Sequence, residues 1–234
     1  MTTEILYQGS MPVVLVHLSA NEVIRAEAGA MVYMDPTIDV EGKAKGGIAS
    51  GLGRMITGES FFVQELIAKR GAGKVMLAPS NIGNLAEIML DGKTVWSLQK
   101  GAYLCSETTV ATNVKTQSLA KGLFSGEGLF IIQASGTGKL IVNSFGAIHK
   151  IDLDNEEIII DNGHLVAWDS NLTYEIKKAS AGFISSLTSG EGLVTRFKGT
   201  GTIYIQTRNF GGFLSLFPTA GGESKGVLGR LLGG

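Results

Sequence analysis

The sequence predicts an all-β protein made of three repeated small antiparallel β-sandwich modules, with pseudo-threefold symmetry within the chain. Two observations support this prediction. Glycine is abundant and proline scarce, 33 against 4 in 234 residues, and most glycines separate short apolar alternating runs, as expected for many short strands joined by tight turns. In addition, three blocks of sequence recur in the same order three times, and such recurrence usually reflects architecture.

The first block of each repeat has the pattern of strand, turn and strand. It reads VLVHLSANEVIRAEA (14–28), AEIMLDGKTVWSLQ (86–99) and HKIDLDNEEIIID (149–161). Asp91-Gly92 and Asp154-Asn155 are strong hairpin signals, because such residue pairs accept the positive φ angles of a two-residue turn. We therefore expect two β-hairpins and a middle strand or two in each module, with this block forming the first hairpin.

The second block follows the pattern G-x-x-Φ-x-x-acid-x-x-Φ, with a lysine five residues later and Φ an aliphatic residue. No copy contains an internal gap. The three copies are Gly29, Val32, Asp35, Ile38 and Lys43; Gly101, Leu104, Glu107, Val110 and Lys115; and Gly163, Val166, Asp169, Leu172 and Lys177.

The third block contains a G-x-G sequence that resembles a phosphate-binding loop. Its copies read RGAGKV, SGTGKL and KGTGTI. A Walker A loop requires G-x-x-x-x-G-K-[ST], but Gln133 stands where the first glycine belongs and Leu140 follows Lys139. The third copy replaces the lysine with Thr202. We therefore expect residues 135–139 to join two antiparallel strands, no helix after Lys139, and no nucleotide cofactor.

These blocks define the expected domain organisation. Each third block starts with [ST]-G-E and closes with a glycine. The predicted units are a first module at 1–83 with a Gly-rich insertion at 43–56, a second module at 84–146, a third at 147–211, and a Gly/Leu-rich tail at 212–234. Small antiparallel modules leave strand edges that need partners. We expect the modules to pair edge to edge and the chain to form a homo-oligomer, with a trimer favoured.

Composition and charge exclude several classes. Twenty basic residues against twenty-one acidic residues give a formal net charge of −1, so nucleic acid is a disfavoured partner. One cysteine excludes an internal disulfide framework and fits a reducing compartment. The N-terminal residues lack the pattern of a signal peptide, and no apolar run approaches the roughly 20 residues of a spanning helix. We expect a soluble cytoplasmic protein.

Six acidic residues recur with the repeat and are the candidates for acid–base chemistry. Paired carboxylates can act as acid and base where burial separates their pKa values. A threefold spacing instead favours hydrogen bonds in turns, or ion pairs with Lys43, Lys115 and Lys177. The six are Asp35, Glu107, Asp169, Glu59, Glu127 and Glu191.

Other reactive side chains do not form a recognisable constellation. His17, His149 and His164 occupy different places in their repeats, without ligand spacing. Cys105 has Ala167 as its counterpart, which indicates a buried small hydrophobe rather than a nucleophile. Trp96 and Trp168 are expected to fill core or interface space. We therefore predict no catalytic, cofactor-binding or metal residues and no enzyme activity.

Three motifs resemble those of a known family. AEAGAMVYM (26–34), GGIASGLGRMITGESFF (46–62) and the repeated SGEGL resemble the altered-inheritance-of-mitochondria family, whose fold is described as tryptophan-RNA-binding-attenuation-protein-like. The resemblance covers about residues 5–210. It implies three β-sandwich modules and a homo-oligomeric ring, and it carries no known enzymatic activity. Attenuation proteins bind RNA through basic side chains and tryptophan between subunits, but no matching basic pattern occurs here, so the resemblance implies neither ligand.

The leading hypothesis is a non-enzymatic oligomeric scaffold or binding protein. It would engage a protein partner or a membrane surface through the Gly/Leu-rich segments at 43–56 and 212–234. One alternative is an RNA- or small-ligand-binding ring protein, which rests on fold analogy alone. Another is a metal-dependent enzyme, which would need a cluster of acids or histidines that breaks the repeat.

Overall fold

The computed structural model describes residues 1–42, 63–117, 129–178, 193–214 and 216–217. Several sequence predictions fall outside this part of the chain. They concern Lys43, the insertion at 43–56, the three [ST]-G-E sites with Glu59, Glu127 and Glu191, and the tail from 218 onward.

The described residues form an all-β structure with one short helix, which confirms the predicted all-β class. A 3₁₀ turn at Asn162–His164 and helix α1 at Phe210–Leu214 accompany the strands. The strands are β1 (Thr2–Leu6), β2 (Val13–Leu18), β3 (Val23–Glu27), β4 (Met31–Met34), β5 (Asp39–Gly42), β6 (Val63–Ile67), β7 (Gly73–Leu77), β8 (Leu85–Asp91), β9 (Trp96–Gln99), β10 (Tyr103–Glu107), β11 (Val110–Gln117), β12 (Leu129–Asn143), β13 (Ile148–Asp161), β14 (Leu165–Asp169), β15 (Thr173–Lys178) and β16 (Leu193–Gln206).

These strands form two antiparallel sheets. The smaller sheet has four strands in the order β1-β2-β7-β4. The larger has twelve strands and follows the order β13-β16-β14-β9-β12-β10-β3-β6-β5, with β8 and β11 also paired to β12 and β15 paired to β16. Strand β4 therefore ends the smaller sheet, and β13 ends the larger one.

The first block does not form the predicted hairpins. Strands β8 and β9 flank Asp91-Gly92, yet both pair with β12 and not with each other. Asp154 and Asn155 lie inside the single strand β13, where a bulge shifts the register between Leu153 and Glu156. Asn155 has a φ of 55°. Asn155 therefore adopts the positive φ that its residue type favours, but it does so in a β-bulge and not in a hairpin turn. The predicted chain reversal at this position is wrong.

The prediction that residues 135–139 join two antiparallel strands is also wrong. These residues lie within the continuous strand β12, and the positive φ angles of Gly136 (+105°) and Gly138 (+118°) bend it. The half before the bend pairs with β11 and β9, and the half after it pairs with β10 and β8. No helix follows Lys139, as predicted.

The second block shows one irregularity at the same position in each copy. Strands β4, β10 and β14 pair with β7, β12 and β16, respectively. The registers shift between Met31 and Tyr33, between Tyr103 and Cys105, and between Leu165 and Ala167. Each shift skips the first aliphatic residue of the sequence pattern: Val32, Leu104 and Val166. The repeated pattern thus marks a β-bulge.

The core consists of three clusters of buried apolar side chains. One includes Leu66 and Leu77, and a second includes Leu98 and Val142. The third contains Trp168, whose ring lies 5.7 Å from Phe197. Trp96 belongs to the second cluster and packs against Tyr204 at 5.7 Å. The prediction that both tryptophans fill core space is confirmed.

Candidate functional site

Two of the recurrent acids hold the backbone of the G-x-G bend. An Asp35 oxygen accepts a hydrogen bond from the Lys74 backbone N–H at 2.9 Å, and an Asp169 oxygen accepts one from the Thr202 N–H at 2.6 Å. Lys74 and Thr202 occupy equivalent positions directly after G-x-G. The predicted structural role of these two acids is therefore confirmed, and Lys177 pairs with Glu175 instead of Asp169.

The carboxylate of Glu107, the third acid of this set, also lies next to a G-x-G bend. A Cβ atom added at Gly138 would collide with its carboxylate. The Asp169 carboxylate packs over the corresponding Gly201, where an added Cβ atom would also collide with it. The acids therefore pack over glycines, which explains why the small residue and the acid recur together.

The histidines lie apart in the described structure. His17 is on β2, His149 is on β13, and His164 is in the 3₁₀ turn, where its Nδ1 lies 2.7 Å from the Gln206 carbonyl oxygen. Within the described ranges, no group of three or more His, Cys, Asp or Glu side chains is placed to hold a metal ion.

Cys105 is fully buried in the first core cluster. It lies opposite Ala26 on β3, and burial raises the pKa of its thiol to about 12. A thiol with this pKa is almost entirely protonated at neutral pH and is a poor nucleophile. The prediction that Cys105 behaves as a buried small hydrophobe is confirmed.

Glu27 is a perturbed group that the sequence reasoning missed. Burial at the end of β3 raises the pKa of its carboxyl to about 7. The sequence around it, VIRAE, alternates as a half-buried strand should, so nothing in the pattern distinguishes a partly buried Glu27 from a solvated one. The cause of this raised pKa is desolvation of the carboxyl by burial.

Several basic side chains of the described residues form ion pairs with neighbouring carboxylates. Arg25 pairs with the buried Glu65 at 3.0 Å and also donates to the Thr108 carbonyl oxygen at 3.1 Å. The other pairs are Lys69–Glu41, Arg70–Asp39, Lys139–Glu87, Lys150–Asp152, Lys177–Glu175 and Arg196–Glu157.

Exposed apolar side chains are the most prominent surface feature. Val32 (54% exposed) and Tyr33 (43%) lie on β4, and Ile159 (49%) lies on β13. A second group at the C-terminal end is named the C-terminal cap and consists of Phe210, Phe213, Leu214, Leu216 and Phe217. Phe213 anchors the cap, because its ring lies 5.3 Å from that of the buried Phe145.

Among the described residues, no helix has both the length and the apolar character needed to cross a bilayer.

The described residues form an all-β protein with antiparallel sheets. A family model described as mitochondrial biogenesis AIM24 matches residues 3–208. The chain therefore belongs to this family, as its motifs indicated.

Relatives from Streptococcus pyogenes match over most of the chain. An uncharacterized protein of the serotype M6 strain is 35% identical over 206 residues, which cover 85% of this chain and 82% of the relative. The crystal structure of another S. pyogenes protein is 33% identical, with a TM-score of 0.75, and the match covers 91% of this chain and 97% of that one.

Proposed function

We propose that this protein is a non-enzymatic, self-associating scaffold built from three modules at 1–83, 84–146 and 147–211. The module assignment is supported by the strand pairings. Strands β2 and β3 pair with β7 and β6, strands β8 and β9 pair with the two halves of β12, and the two halves of β13 pair with the two halves of β16. The bulges at Val32, Leu104 and Val166 follow the same order.

One observation carries the proposal of self-association. Leu104 and Val166 are 0% and 1% exposed, whereas their counterpart Val32 is 54% exposed. The same residue class therefore sits in the core in two copies and in solvent in the third. Burying a side chain of this size contributes about 1.5–3 kcal/mol, so the exposed copy favours association with a partner surface.

The mass in solution tests this function directly. We expect a homo-oligomer, with a trimer favoured because homo-oligomers usually adopt closed symmetry. Sedimentation velocity from about 1 to about 100 µM measures it, since weak and tight assemblies separate over that concentration range. A monomer across that whole range would contradict the proposal.

The exposed side chains of the C-terminal cap support a second part of the proposal, which is that the scaffold binds a lipid surface. Four of its apolar side chains are about half exposed, and a helix with exposed Phe and Leu can insert shallowly between headgroups. The variant Phe210→Ser/Leu214→Ser should reduce flotation with liposomes of mixed neutral and anionic lipid. The matched control Ile82→Ser/Met89→Ser removes exposed apolar side chains elsewhere and should float like the wild type. Equal flotation of all three proteins, or none, would contradict a lipid-binding cap.

A further inference from the structure

Two junctions between neighbouring modules lie within the chain and have the same geometry. At the first junction, β10 pairs antiparallel with β3, with Cys105 opposite Ala26 and Ser106 opposite Arg25. At the second, β14 pairs antiparallel with β9, with Ala167 opposite Leu98 and Trp168 opposite Ser97. The strand that carries the bulge in one module thus always pairs with the end of the first block in the preceding module.

The two registers agree residue by residue with the sequence blocks. Cys105 and Ala167 each follow the bulged residue by one position, and Ala26 and Leu98 each precede the block glycine by three. The agreement shows that the junction is a repeated structural rule and not a coincidence of two strand contacts.

The first module has no preceding module and the third has no following one. Each therefore has one strand segment that lacks, in the described chain, the junction partner found for its counterparts. In the first module the bulged strand is β4, which pairs only with β7 among the described strands. In the third module the end of the first block is residues 158–161 of β13, which pair only with β16 there. These segments end the two sheets, and they are not paired with each other.

Both open edges carry apolar side chains suited to burial. The counterparts of Tyr33 are Cys105 and Ala167, and both are fully buried. The neighbouring Val32 and the opposing edge residue Ile159 are about half exposed. A long exposed apolar edge normally promotes pairing with another chain, unless charge or proline blocks it. Met31–Met34 and residues 158–160 contain no charged residue and no proline. The acids that follow them, Asp35 and Asp161, accept hydrogen bonds from the backbone N–H groups of Lys74 and Gly163 within the chain.

We infer that β4 of one copy pairs antiparallel with residues 158–161 of β13 of a second copy, in the register Tyr33–Ile160, Met34–Ile159 and Asp35–Ile158. The interface is heterologous, because each copy offers β4 at one end and β13 at the other. Repetition of a heterologous contact produces a closed ring when the rotation per copy closes. The inference rests on the proposed self-association and specifies its surfaces.

Two edge variants test the pairing. Tyr33→Asp and Ile159→Asp each place a carboxylate on one edge at an exposed position, so the monomer fold is retained. Each variant alone should lose the wild-type oligomer, with an apparent Kd at least tenfold higher. A one-to-one mixture should recover a heterodimer, because each variant keeps the edge that the other lacks. Met89→Asp, an equally exposed residue on β8, is the matched control and should assemble normally.

The outcomes separate the inference from the function on which it rests. An oligomeric wild type whose two edge variants also remain oligomeric would overturn the pairing and leave self-association standing. Dimers formed by one variant alone, without mixing, would indicate a symmetric contact and also overturn it. A monomeric wild type would overturn both.

Cysteine cross-linking tests the register directly. In the double variant Met34→Cys/Ile159→Cys, the two thiols face each other across the junction, at a separation that a disulfide can span. Mild oxidation should give covalent multimers on a non-reducing gel. Tyr33→Cys/Ile159→Cys is the control, because a shift of one residue places the thiols on opposite faces. Multimers from the control at the same rate, or none from either, would overturn the register.

Discussion

Glu27 illustrates how the fold changes the chemistry of one residue. Its carboxyl ionises near pH 7 because burial disfavours the charged form. In the unfolded chain it ionises near the ordinary value of 4.5. The folded state therefore binds more protons than the unfolded state between about pH 4.5 and 7, so this residue makes stability fall as pH rises through that window.

We expect Glu27→Gln to stabilise the protein at pH 8 by roughly 1 kcal/mol, since solvent around the partly exposed carboxyl screens part of the penalty. At pH 4 the two proteins should be equally stable, because the wild-type carboxyl is then protonated in both states. Urea denaturation at the two pH values measures the difference.

Glu22→Gln provides a control of opposite sign. A hydrogen bond from the N-terminal ammonium group lowers the pKa of Glu22, so its contribution is present at neutral pH and is lost as the pH falls. This variant should not gain stability at pH 8. A gain equal to that of Glu27→Gln would show that any removal of negative charge accounts for the effect.

At the scale of elements, the two long strands β12 and β16 bend at their G-x-G sequences, so each pairs with different strands on the two sides of its bend. Positive φ angles at Gly136, Gly138 and Gly199 place the bend at the G-x-G sequence. Neighbouring backbone also crowds this bend, because a Cβ atom added at Gly136 would meet the Thr109 carbonyl oxygen. Glycine is required there for two independent reasons.

Gly136→Ala should therefore lower the free energy of unfolding by about 1–3 kcal/mol, the usual cost of a strained backbone position. Thr137→Ala, at the exposed residue between the two glycines, is the control and should cost well under 1 kcal/mol. Thermal and denaturant unfolding of both variants provide the measurement. Equal losses for the two variants would contradict a specific requirement for glycine.

The sequence predicted the elements better than their connections. The recurrence of Val32, Leu104 and Val166 and the small-residue role of Cys105 were visible in the sequence, but that each recurrent aliphatic residue is a bulge was found only in the strand registers. The hairpins at Asp91-Gly92 and Asp154-Asn155 did not form, because the same turn residues also permit a corner or a bulge. Local signals cannot distinguish these outcomes, since the choice depends on distant strands that complete the ladder.

Glu27 and the open edges could not be predicted from the sequence for a related reason. Burial of Glu27 depends on the strands that flank β3, and the exposure of Tyr33 depends on β4 having β7 as its only partner among the described strands. Both are properties of the assembled sheets. The repeat indicated that edges need partners, and only the strand order identified which edges have none in the described chain.

At the scale of the whole molecule, the open edges predict that backbone protection depends on protein concentration. Amides of residues 32–34 and 158–161 that face outward are exposed in a monomer and hydrogen-bonded in the proposed assembly. Hydrogen exchange followed by mass spectrometry should show slower exchange of these segments at high concentration. Residues 104–106 and 166–168, which are paired within the chain, serve as the internal control. Exchange of the edge segments that is independent of concentration in an oligomeric sample would contradict the pairing.

The continuity of β12 across its bend has a consequence for how the protein loses structure. Strands β8, β9, β10 and β11 all hydrogen-bond to this one strand, so fraying of β12 at either end removes a partner from two of them. In the first copy of the repeat, two separate strands, β6 and β7, take the place of this long strand, and they lie in different sheets. The four-stranded sheet can thus open while the larger one stays intact. Partial unfolding should start at the four-stranded sheet, whose strand β4 is the edge that a second copy would cover.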